Sequence, residues 1–86
     1  MTAATNAAVA FAYATGEEVV VRLAGVAVHG IEAGRPLAAA CVPPWAIAEI
    51  ADAFTRDGAP HYALRFAIYD APCLAIADES AIEGVA

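Results

Sequence analysis

The chain has 86 residues, and the 62% that are apolar include 25 alanines, leaving 28 larger apolar side chains to build a core. That supply suits one small domain and excludes a second domain or a large enzyme scaffold with a deep cofactor cleft. Ten Asp and Glu stand against four Arg and no Lys, a net charge of −6, so there is no basic stripe for nucleic acid or for an anionic membrane surface.

Taken in chain order, the N-terminus lacks the basic region of a signal peptide. Residues 7–14 alternate Val9, Phe11 and Tyr13 with alanines and predict a strand, closed by a Thr15–Gly16 turn. Residues 18–29 are rich in valine, with the large residues changing parity across Ala24–Gly25. They predict a second strand with a bulge or kink at that point. A hairpin loop at residues 32–35 leads to a third strand over residues 37–42. Pro44 then suits a first helical position. Ile47, Ile50, Ala51 and Phe54 fall on one face at a spacing of 3.6, predicting a helix over 44–57 that Gly58 and Pro60 stop. Period two returns over residues 61–69 with Tyr62, Leu64, Phe66 and Ile68 facing inward. A turn at residues 70–72 gives a last strand through Leu74 and Ile76. Ser80 and Glu83 have the spacing of a capping box, with too little chain after them for a stable helix.

The expected fold is therefore α+β, a single domain over residues 1–86. Its sheet is five-stranded, mixed and mainly antiparallel, with one helix packed on one face and inserted between the third and fourth strands. A right-handed crossover through that helix is expected. Arg22, His29, Arg35, the Pro43–Pro44 pair and Glu49 interrupt every apolar window long enough to span a bilayer. Two cysteines fall short of a secreted disulfide scaffold, so a cytoplasmic location is expected.

Chemistry-bearing residues are few. His29, Cys41, His61 and Cys73 lack the close ligand pairs that structural zinc requires, and no metal or cofactor is expected. Ser80 is the only serine, and no nucleophile elbow, zinc-protease, P-loop or dinucleotide motif occurs, so the chain reads as a non-enzyme. The acidic side chains Glu17, Glu18, Glu49 and Asp52 either keep an apolar chain soluble or form a negative patch that docks on a basic partner. Trp45 falls beside Glu49, Asp52 and Arg56 on the helical wheel. It either folds back over the sheet end or stands exposed as an interface anchor ringed by carboxylates.

In size, acidity and lack of motif the chain resembles phage-encoded anti-CRISPR proteins, a likeness it shares equally with immunity proteins and antitoxins. The resemblance implies a protein-binding inhibitor or decoy that blocks a basic, nucleic-acid-binding surface of a bacterial defence or nuclease complex without itself binding nucleic acid. The partner-binding residues would be Trp45, Glu49, Asp52, Glu17 and Glu18. The alternative is a dimeric structural or accessory module, or a small-ligand carrier, using an open sheet face. A homodimer is expected, because a sheet covered on one face leaves apolar surface and edges to pair.

Overall fold

The computed structural model describes residues 9–32 and 34–86. They form a seven-stranded antiparallel sheet built from β1 (Glu18–Arg22), β2 (Val28–Gly30), β3 (Arg35–Pro36), β4 (Trp45–Arg56), β5 (Ala59–Ile68), β6 (Ala71–Asp78) and β7 (Ile82–Val85). Two short 3-10 helices, η1 (Ala39–Cys41) and η2 (Glu79–Ala81), complete the elements. The sheet order is β3-β2-β6-β5-β4-β1-β7. The expected α+β architecture is thus overturned: the described residues contain no α-helix, no parallel crossover and seven strands rather than five.

The decisive difference is β4, which occupies the segment expected to be helical. Alanine has the highest intrinsic helix propensity, but tertiary pairing overrides a weak preference of this kind. Here β4 satisfies its backbone against β1 on one side and β5 on the other. Asp57 and Gly58, at φ 53° and 77°, form the two-residue hairpin loop that Asp-Gly favours. Gly58 thus turns a hairpin instead of stopping a helix. The 3.6 spacing of apolar residues was coincidental. Ile47 points outward, Ile50 is fully buried, and Phe54 lies half-buried on the outer face against His61.

Other boundaries move for related reasons. Residues 9–14 are irregular, because the Ala12 and Tyr13 N–H groups donate to the Glu79 carboxylate and the Tyr62 hydroxyl rather than to a ladder. Residues 7 and 8 of that expected strand lie outside the described residues. The Thr15–Gly16 turn is present, with Gly16 at φ 93°. At Ala24–Gly25 the chain makes a full turn instead of a kink, and β1 and β2 pair with different partners. Residues 37–42 hold η1 in place of the third strand, and β7 occupies the tail that resembled a capping box.

Connection lengths show that the sheet coils. β6 and β7 stand four strand spacings apart in the sheet, about 19 Å if it were flat. Asp78 and Ile82 are joined by only four residue steps, which reach at most about 14 Å. The sheet must therefore curl toward a barrel, and its concave side becomes the core. Val19, Val21, Ile50, Tyr62 and Leu64 are fully buried there, with Ala48, Ala75 and Ala77 beside them. Alanines facing inward are what a tightly coiled sheet needs, since its interior is narrow. The inward Tyr62, Leu64 and Phe66 of β5 match the sequence reading, and Ile68, expected in the same row, is half-buried against that core.

Candidate functional site

The convex face of the β1–β4 pair brings together four of the five expected partner-binding residues. Alternation places Trp45, Ile47 and Glu49 outward while Ala48 and Ile50 face the core. A bulge between Ile50 and Asp52 then inverts the parity. Asp52 stands opposite Ala63, a neighbour of outward Arg65, and so stays on the same side as Trp45. Its Oδ1 accepts the Ala53 N–H at 2.9 Å, which helps hold the bulge.

Across the ladder, Glu18 lies directly opposite Glu49, Val20 opposite Ile47, and Arg22 opposite Trp45. Trp45 is 49% exposed and Ile47 61%. Trp45 therefore does not fold back into the sheet end. Like charges directly opposed on a sheet are destabilising. Arg65 offsets one of them through Nη2, 3.3 Å from Glu49 Oε1. Arg22 is committed to Glu83 at 2.6 Å and to the Ser80 carbonyl at 3.2 Å. The result is an apolar centre of Val20, Trp45 and Ile47 within a charged rim. Glu17 is not part of it: its Oε1 accepts the Ala14 N–H at 2.7 Å and closes the turn ahead of β1.

A second polar constellation escaped the sequence reading. The fully buried Tyr62 donates its hydroxyl proton to Glu79 Oε2, which also accepts the Ala12 N–H at 3.0 Å. Phe11 and Tyr13 pack edge-on to the Tyr62 ring, with centroids 6.0 and 5.8 Å away. Burial, then the hydrogen bond to Glu79, pushes the Tyr62 phenol above its ordinary pKa. The Asp78 carboxyl is held below its ordinary value by hydrogen bonds from Ser80, whose N–H donates to Asp78 Oδ1 at 2.6 Å. These groups fasten residues 11–13 and η2 across the end of the core. No local sequence signal joins Tyr62 to Glu79, since the pairing exists only once the sheet coils.

Of the remaining candidates, His61 adjoins these groups, standing opposite Asp78 in the β5–β6 ladder. His61 Nδ1 lies 3.1 Å from the Ala59 carbonyl oxygen, and His29 is exposed on β2. Cys73 is buried, whereas Cys41 is exposed, and neither is in a disulfide. Among the described residues no three His, Cys, Asp or Glu side chains assemble as metal ligands would. No helix among them is long and apolar enough to cross a membrane. Comparison with protein-family models, with curated proteins and with solved structures finds no match.

Proposed function

We propose that the protein is a small acidic protein-binding module of the inhibitor or decoy kind, which seats the outward face of β1–β4 on a basic surface of its partner. A nucleic-acid-binding groove of a bacterial defence or nuclease complex has the required chemistry. The observation that carries this reading is the pairing of exposed Trp45 and Ile47 with the Glu18, Glu49 and Asp52 carboxylates on one face. An exposed aromatic centre with a charged rim is the usual anatomy of a binding hot spot. The directly opposed Glu18 and Glu49 cost the fold stability, and a cationic partner surface would relieve that repulsion.

The test is capture of the partner from bacterial lysate followed by affinity measurement with purified components. Trp45→Ala, or Glu49→Gln with Asp52→Asn, should weaken binding by roughly 1–3 kcal/mol without changing the melting temperature. Association should slow as salt rises, because exposed charges are screened beyond about 8 Å at physiological ionic strength. Binding that ignores salt and survives both variants rules the reading out.

A homodimeric accessory module is the second reading, favoured by Leu74 and Ile76, which extend exposed apolar surface outward on β6. Sedimentation separates the two. A dimer that persists after the carboxylates are neutralised, and dissociates with Ile76→Lys, supports the second.

A further inference from the structure

An open cleft of about 1070 Å³ lies away from the β1–β4 face, between the segment around Pro43–Pro44 and the β5–β6 hairpin. Its walls include Leu37, Val42, Pro44 and Ile68. Among the described residues, Glu32 is the one carboxylate that lines it, and no basic residue does. Glu32 is exposed in the turn after β2, and the Ile31 N–H donates to the Pro72 carbonyl at 2.9 Å, holding that turn beside the start of β6. Tyr69 lines the same cleft from the hairpin tip, with its side chain almost wholly in solvent. Tyr69 also sits at φ 49°, a backbone conformation unfavourable for an aromatic residue and commoner at ligand clamps than elsewhere.

From this arrangement we infer that the cleft binds a small amphiphile with an apolar body and a cationic head. The apolar walls take the body. Glu32 supplies the counter-charge, and the Tyr69 ring offers its face to an ammonium group. An anionic amphiphile meets the same carboxylate in a chain of net charge −6 and is repelled. This site is independent of the protein-binding face, so either can fail without the other.

Cys41 provides the readout. It lines the cleft and is exposed, whereas Cys73 lines it but is buried. A maleimide should therefore label Cys41 first in the folded protein. Octyltrimethylammonium, octanol and octanoate, all kept below micellar concentration, serve as probes of matched chain length. Octyltrimethylammonium should slow Cys41 labelling at concentrations about two- to fivefold lower than octanol, the size of one exposed charge interaction, and octanoate should be weakest. Glu32→Gln should erase the preference for the cation while retaining protection by octanol. Tyr69→Asn should weaken protection by the cation more than by octanol.

Octanoate protecting as well as the ammonium overturns the inference. So does an absence of protection by all three probes, or a cation preference unchanged in Glu32→Gln. Labelling that slows with protein concentration alone would assign the cleft to a second copy of the chain and overturn it too.

Discussion

The hairpin between β4 and β5 and the hairpin between β5 and β6 turn through the same two-residue geometry with different residues. Asp57–Gly58 makes the first and Tyr69–Asp70 the second, all four at positive φ. Asp-Gly suits such a loop, since glycine carries no steric penalty there and aspartate a small one. Tyr69 bears the full penalty, and with 97% of it in solvent no packing offsets the cost. The first turn is shaped by folding alone. The second, placed at the mouth of the cleft, accepts a weaker turn to present an aromatic ring, so local strain here marks a site rather than a defect.

That contrast can be broken or sharpened by substitution. The largest effect is expected from Ile50→Asp, on the strand that enters the first hairpin. Ile50 is fully buried, and an unpaired carboxylate there costs several kcal/mol, comparable to the stability of so small a domain. Circular dichroism and thermal melting should show unfolding, and an unchanged melt would remove β4 from the core.

Next comes Tyr62→Phe on β5, the strand both hairpins share. Loss of the hydroxyl bond to Glu79 should cost about 1–2 kcal/mol in urea unfolding. The folded phenol holds its proton above the ordinary value of 10.0, whereas the unfolded chain releases it there. Native stability should accordingly be complete below about pH 10 and decline as pH rises through the raised value. Tyr62→Phe should flatten that decline, and an alkaline limb identical in both proteins would place its cause elsewhere.

Gly58→Ala, at φ 77°, should cost about 1 kcal/mol and leave labelling of Cys41 and its protection by amphiphiles unaltered. The smallest change expected is Tyr69→Asn, which relaxes the second turn and should stabilise the fold by about 0.5–1 kcal/mol. If Tyr69→Asn destabilises, Tyr69–Asp70 is not a strained turn and the contrast between the hairpins disappears.

Legibility in the sequence followed the range of the interaction. The inward row of β5 and the turn at Thr15–Gly16 are local patterns and could be read directly. Ile50 was expected in the core on a helix and is in the core on a strand, because inward alternation and the helical stripe both select that position. Trp45, Glu49 and Asp52 share a face under both readings. On a helix their spacing does it, and on β4 the bulge does it. The β4 conformation itself was obscured by alanine, which carries little information about period. The Asp57–Gly58 pair was the available signal for a hairpin. Coiling of the sheet depends on β1 pairing with both β4 and β7, contacts distant in sequence that leave no mark in any window. The Tyr62–Glu79 bond and the cleft inherit that invisibility.

The position of β1 also bears on how the chain reaches this state. Strands β4, β5 and β6 are joined by two-residue loops, so they can zip into a meander from local contacts alone. By contrast β1 must close much longer loops to insert between β4 and β7, and such closures come late because their entropy is spent before contacts reward it. Before β1 arrives, one edge of β4 offers a vacant ladder next to an alanine-lined interior. At high concentration the β1 of a neighbouring chain competes for that edge, and refolding there should yield an intertwined, strand-exchanged dimer whose fraction rises with protein concentration during folding and stays fixed after dilution.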